Sequence, residues 1–288
     1  MRDNDMSVEA FKGAPRAFYD AALPFLAEAE AENTLLIGIS SRLAARDMPD
    51  SPEPFFWVVR DGDEICGAAM WTPPHDLVLS HPFSDAALGT LSEFLLGMQL
   101  PLPGVLGPDD AACKFALQWT TARNLTAHLW RRERIYCLQR VEPLPATQGR
   151  MIQAEAEHMA ELVPWMGDFL EQMGEKGDPA AGLSAAIADG RVFVWWNVSP
   201  VSMAGWGSPT PNGIRIGPVY TPPEQRRHGY ATAVVGALSD MLLRQGRSFC
   251  ALYTDLSNPT SNSIYQRVGY RPILDCYHYR FVGLEIGR

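Results

Sequence analysis

The chain has 288 residues, of which 47% are hydrophobic and 20% charged, and its formal net charge is -9. This length and composition predict a packed protein of one large or two ordinary domains and exclude a disordered chain. The acidic balance argues against nucleic acid or a membrane surface as a partner, so any anionic ligand has to be met by a local cluster of donors.

Residues 11–43 read as helical, with Leu23, Leu26, Leu35 and Leu36 among the apolar positions. Two apolar runs, 55–59 and 65–71, flank Asp61-Gly62-Asp63, a hairpin signal, and 77–79 extends the sheet. Helices are expected at 85–98 and 109–121, on either side of a loop or loop-flanked strand at 101–108 that is rich in Pro and Gly. A strand follows at 134–141. The segment Glu142-Pro143-Leu144-Pro145-Ala146-Thr147-Gln148-Gly149 reads as a linker.

Beyond it the order begins again. Helices are expected at 154–173 and 179–188, a hairpin at 191–197 and 201–207, and a strand at 214–220. A helix at 230–244, a strand at 248–255, a short helix at 259–267 and a last strand at 273–281 complete the chain. The parallel is one of element order, without a residue-level repeat. It predicts two domains, 1–145 and 146–288.

The five cysteines, Cys66, Cys113, Cys137, Cys250 and Cys276, form no CxxC pair and read as free thiols of a reducing compartment. His75, His81, His128, His158 and His278 have no metal-ligand spacing, so no metal is expected. Residues 1–10 are polar and no apolar run reaches the roughly 18 residues of a membrane span. A cytoplasmic protein is the expectation.

Two segments carry chemistry. In the first, the strand ending at Tyr220 meets Thr221-Pro222-Pro223, which cannot continue a ladder. Then come Arg226, Arg227, His228, Gly229, Tyr230, Ala231 and Thr232, opening a helix whose apolar face is Val234, Val235, Leu238, Met241 and Leu242. A helix start offers unpaired N–H groups and partial positive charge; Gly229 allows close approach, and the basic residues add donors. The pattern suits a diphosphate. It contains no Gly-Lys-Ser/Thr and no dinucleotide glycine triplet. In the second segment, Asn258 caps a helix that Pro259 opens and Gly269 closes. Asn258, Ser261 or Asn262, and Tyr265 share one face, where amide, hydroxyl and phenol can bond a polar chain and the phenol can give up a proton.

The two motifs in this order resemble the GNAT superfamily of N-acyltransferases over residues 214–281. Arg226-Arg227-His228-Gly229-Tyr230-Ala231 is similar to the family's Arg-x-x-Gly-x-Gly/Ala pyrophosphate loop. Residues 258–270 are similar to its Asn-x-x-Ser/Ala-x-x-apolar-Tyr-x-x-x-Gly-Phe/Tyr segment. The resemblance implies an α/β (α+β) fold with a mixed, mostly antiparallel sheet flanked by helices; the parallel element order extends this to the first half as a degenerate GNAT-like copy without a cofactor site, an unrelated α+β domain being the alternative. It implies acetyl-CoA as co-substrate and a small-molecule primary amine as acceptor. Backbone groups of Val219, Tyr220 and Thr221 would pair with pantetheine, amides from Arg227 to Thr232 would cradle the pyrophosphate, and Asn258 would bond the pantetheine. Tyr265 would protonate the departing thiolate.

For the general base the candidates are Glu224, Tyr220, Glu171 and Asp168, or a water relay. For the acceptor pocket they are Trp195, Trp196 and Trp206 on the hairpin and Trp165 and Phe169 on the helix, each set against plain core packing. A catalytically silent CoA-binding sensor or scaffold, and an acetyltransferase for a peptide or protein terminus, are the alternatives. In the first half, the expected absence of a CoA site rests on the turn Leu106-Gly107-Pro108-Asp109-Asp110, whose carboxylates would occupy the helix start.

Overall fold

The computed structural model describes residues 6–45, 52–175 and 177–283. The chain divides into two compact units: Met1–Ile135 with Tyr253–Ser257 and Ile273–Arg288, and Tyr136–Leu252 with Asn258–Pro272.

The first unit begins with β1 (Met6–Ala10), α1 (Pro15–Leu26) and α2 (Thr34–Ala44). It continues with β2 (Phe55–Asp61), β3 (Glu64–Trp71), β4 (Leu77–Leu79), α3 (Asp85–Gly97), β5 (Gly104–Pro108), α4 (Asp109–Arg123) and most of β6 (Leu125–Leu138). The second unit holds β7 (Arg150–Gln153), α5 (Met159–Met173), α6 (Pro179–Ala188), β8 (Val192–Asn197), β9 (Ser199–Gly207) and β10 (Gly213–Tyr220). It goes on through α7 (Tyr230–Arg244), β11 (Phe249–Asp255) and α8 (Pro259–Val268), and the chain ends in β12 (Arg271–Gly283). Strand, two helices, three strands, helix, strand, helix, strand is the order in both halves. Each unit therefore has the expected mixed, mostly antiparallel sheet flanked by helices.

In each unit a parallel pair interrupts the antiparallel ladder: β4 with β5 through Leu77↔Val105, and β10 with β11 through Gly213↔Phe249. Period-two alternation explains how helices cover both faces. In the first unit Trp57, Val59, Ala69 and Trp71 join one core with Leu88, Leu91, Phe115 and Trp119 of α3 and α4. Phe56, Val58, Ala68 and Met70, one residue out of phase, join the other with Phe18, Leu26 and Leu36 of α1 and α2. In the second unit Ile214, Ile216, Cys250 and Leu252 meet Val234, Leu238 and Val268 of α7 and α8. Val192, Val194, Met203 and Tyr220 meet Leu162, Met166, Leu183 and Ile187 of α5 and α6. Each large side chain so buried contributes about 1.5–3 kcal/mol of transfer free energy.

The partition does not follow one cut near 145. β12, the last strand, belongs almost wholly to the first unit, where it pairs antiparallel with β5 from Cys276↔Pro108 to Arg280↔Gly104. Element order alone would give that place to β6, whose end carries Tyr136 and Leu138 into the second unit's core. The segment read as a linker is packed as well. Glu142 N–H donates to the Val268 carbonyl at 2.9 Å, and Leu144 lies against Gly236 of α7, where there is no Cβ to exclude it. Two short strands, β1 and β7, appear where none was expected, pairing with β2 and β8. No helix among the described residues is long and apolar enough to cross a membrane.

Candidate active site

β10 positions the site by parting from its neighbour. It pairs with β11 only at Gly213, Ile214 and Arg215, while its other edge stays on β9 as far as Tyr220↔Met203. The register on β9 shifts between Ile216 and Val219, and the backbone beyond Ile216 turns an open edge toward α8. An extended polar chain can add itself to such an edge by main-chain hydrogen bonds.

Past Tyr220 a short 3-10 turn at Pro223–Gln225 leads to α7. Gly229, at φ +84°, is the N-cap of α7, which has no side-chain cap and no acidic residue in its first turn. A glycine there avoids the strain any other residue would meet in left-handed backbone. The first N–H groups of α7 are thus left for a ligand, next to three arginines: Arg226, Arg227 and, from α8, Arg267. Opposite stands α8, capped by Asn258, whose Oδ1 accepts from the Ser261 N–H at 3.0 Å.

The groove between them has a volume of about 810 Å³. Every residue expected to hold the cofactor lines it, with one exception: Val219, Tyr220, Thr221, Arg226, Arg227, Gly229, Tyr230, Ala231, Thr232, Asn258 and Ser261, and with them Tyr265. The exception is His228, which stacks on the Tyr230 ring at 5.5 Å, and the Tyr230 hydroxyl accepts from Asn197 at 2.9 Å. The lining also includes Gln172, Gln225, Thr260, Ser263, Ile264 and Arg267, which the motifs did not single out. Arg267 stands four residues past Ser263 and donates to its hydroxyl, a helical spacing that was readable in advance.

Tyr265 is 8% exposed, its ring edge-on to Tyr270 at 6.0 Å. Burial pushes its phenol up to about 12, and among the described residues its hydroxyl has no hydrogen-bond partner. At neutral pH it is a protonated donor with nothing to donate to but the groove. Tyr220, also pushed up to about 12, by burial first and then by a hydrogen bond, donates to Asp168 Oδ2 at 2.6 Å.

The other candidates separate clearly. Glu224 and Glu171 are exposed and do not line the groove. Trp195 donates to the Gln148 carbonyl at 2.8 Å, Trp196 stands edge-on to His158 at 5.7 Å, and Trp206 packs on the core beneath α7 and α8. None of the three lines the groove, so packing accounts for the hairpin tryptophans. Phe169 packs on the α5–α6 core. Trp165 sits 6.3 Å from the Tyr220 ring.

In the first unit the topological counterpart of the β10–α7 turn is 80–84, between β4 and α3, and not the 106–110 turn named from the sequence, which joins β5 to α4. That counterpart contains no glycine or arginine. Ser84 caps the helix by accepting from Ala87 N–H at 3.2 Å, and Asn33 bonds both the N–H and the carbonyl of His81. A cleft of about 10 Å³ remains there, lined in part by Leu79, His81 and Gly107.

Residues 196–279 match the family model described as FR47-like protein. Among solved structures, an acetyltransferase of the GNAT family from Colwellia psychrerythraea is 11% identical with a TM-score of 0.58, covering 96% of this chain and 99% of its own. A GCN5-related N-acetyltransferase from Sphaerobacter thermophilus is 15% identical with a TM-score of 0.62, covering 97% and 96%. A tandem GNAT protein from the clavulanic acid biosynthesis pathway is 12% identical with a TM-score of 0.58, covering 98% and 100%. No curated protein matches the chain. The fold is thus shared with acetyltransferases of the GNAT family along nearly the whole chain, and the matched segment 196–279 contains most of the groove.

Proposed function

We propose that the second unit transfers an acetyl group from acetyl-CoA directly to a primary amine of a small molecule, within a ternary complex. The observation that carries this reading is the groove itself. An open strand edge, an uncapped helix start with Gly229, and a buried phenol without a partner line one cavity. The open edge of Val219, Tyr220 and Thr221 suits the pantetheine arm, and the start of α7 with Arg226 and Arg227 suits the diphosphate. Asn258 is already committed through Oδ1 to capping α8, so its free amide N–H is the group left for pantetheine. The neutral amine attacks the thioester carbonyl carbon, the C–S bond breaks, and Tyr265 gives its proton to the sulfur. The nitrogen's surplus proton leaves to solvent. The first unit, with its capped α3 and narrow cleft, binds no CoA in this reading and acts as a structural partner.

One observation keeps a second reading alive: among the described residues no carboxylate lines the groove. A silent CoA sensor would need none. One experiment separates the two: calorimetry with CoA, followed by thiol release from acetyl-CoA across a panel of primary amines. Binding with one site per chain and amine-dependent release supports transfer. Binding without release for any amine supports the sensor, and no binding refutes both.

A further inference from the structure

The cofactor half of the groove is cationic, with Arg226, Arg227 and Arg267 in its lining. A primary amine at neutral pH arrives as a cation, and such a lining repels it. An acceptor therefore needs a counter-charge at the groove's other end. One carboxylate has a fixed link to that end, Asp168, held by the Tyr220 hydroxyl at 2.6 Å. Tyr220 lines the groove, and Asp168, which does not, is exposed.

The helix that carries Asp168 presents more than a charge. Trp165, Asp168 and Gln172 stand three, four and seven residues apart on α5, so they share a face. Gln172 lines the groove, and the Trp165 ring lies 6.3 Å from that of Tyr220. The carboxylate is thus flanked by an aromatic wall on one side and an amide on the other. Carboxylate and aromatic faces together suit an ammonium ion beside an apolar body. The Tyr220 hydroxyl donates to one Asp168 oxygen, which fixes the direction in which the side chain points.

Two further charged groups bear on this place. Glu171 is exposed on the same helix. Arg226 donates from Nε to the Thr221 carbonyl at 3.0 Å, and its charge and hydrogen bonding lower the Tyr220 phenol's pKa against the larger upward pull of burial. In the free chain Arg226 therefore lies over backbone that pantetheine would use and interacts with the phenol that aims Asp168. A diphosphate is the stronger partner for a guanidinium.

We propose that Asp168, aimed by the Tyr220 hydroxyl, is the subsite that receives the acceptor as a primary ammonium ion, and that Arg226 shields this subsite until the CoA diphosphate draws the guanidinium away. The inference rests on the acyl-transfer reading for its meaning, and its test does not depend on turnover. Calorimetry compares 2-phenylethylamine with its neutral analogue 2-phenylethanol on the full chain, with and without saturating CoA. The CoA-loaded wild type should bind the ammonium tighter than the alcohol by on the order of tenfold or more. Asp168→Asn should erase that preference and leave CoA affinity as it was. Without CoA the wild-type preference should shrink, and Arg226→Gln should restore it. A CoA-loaded wild type with no preference, or an Asp168→Asn chain that keeps it, overturns the subsite. A preference indifferent to CoA overturns the shielding. An enzyme that releases no thiol with any amine sinks acyl transfer and leaves this comparison standing.

Discussion

Replacing Tyr265 by Phe removes one oxygen from the groove and little else. The ring keeps its edge contact with Tyr270 at 6.0 Å and its place in the second core. Its hydroxyl gives up no protein hydrogen bond among the described residues, so the folding cost should stay within about 1 kcal/mol. The thiolate, by contrast, loses its proton donor. General acid catalysis is worth about 100- to 10,000-fold in rate, or roughly 3–5 kcal/mol of barrier. Burial holds the phenol at about 12, so the wild type should keep a protonated acid across the whole neutral range. The assay is steady-state thiol release with the best amine of the panel, alongside CoA calorimetry and a melting curve. The expected result is a fall in kcat of two or more powers of ten at unchanged CoA Kd and nearly unchanged Tm. A variant with full kcat would reduce Tyr265 to a packing residue and return the proton to water.

Gly229→Asp puts a carboxylate where the diphosphate is expected and a side chain on backbone at φ +84°. CoA affinity by calorimetry should drop at least tenfold, and an unchanged Kd would remove the site from this loop. Gly229→Ala separates the two effects, since a Cβ there meets only Thr147 Oγ1 at 3.4 Å: about 1–2 kcal/mol of backbone strain on a denaturant curve, with CoA binding largely kept. Asn258→Ala should cost about 1 kcal/mol by loss of the α8 cap, seen as a lower Tm. Tyr265 and Tyr270 are both raised by burial, so the folded chain keeps protons that the unfolded chain sheds above its ordinary tyrosine range. Their stability contribution is complete below pH 10 and is lost as pH climbs toward 12. Urea titrations at pH 9 and pH 11 should therefore show a fall that Tyr270→Phe makes shallower.

The second half was legible because its signals are local. The prolines after Tyr220, Gly229 before an apolar-faced helix, and Asn258-Pro259 before Tyr265 each act within a few residues, and each stands where the pattern put it. What escaped was carried by distant partners or masked by charge. Met6–Ala10 and Arg150–Gln153 are too short and too polar to announce themselves as strands. β6 starts at Leu125, nine residues before the expected Arg134, because Arg131, Arg132 and Glu133 obscure its alternation. Composition made 142–149 look like a spacer, yet Leu144 fills the space above Gly236 and Thr147 approaches Gly229. Asp168 was named only among candidates for the general base, and its hydrogen bond with Tyr220 joins residues 52 positions apart, beyond any local pattern.

The placing of β12 beside β5 has a consequence for how the protein comes into being. A ribosome makes the first unit's helices and most of its strands before the second unit, but the strand that pairs with β5 only after it. Until Arg271–Gly283 has left the exit tunnel, β5 presents an unpaired edge, the kind of surface that invites pairing with a stranger. Folding of the first half is thereby postponed until the second unit's segments have been made. The two folds, although each is complete in element order, reach their native form as one transaction.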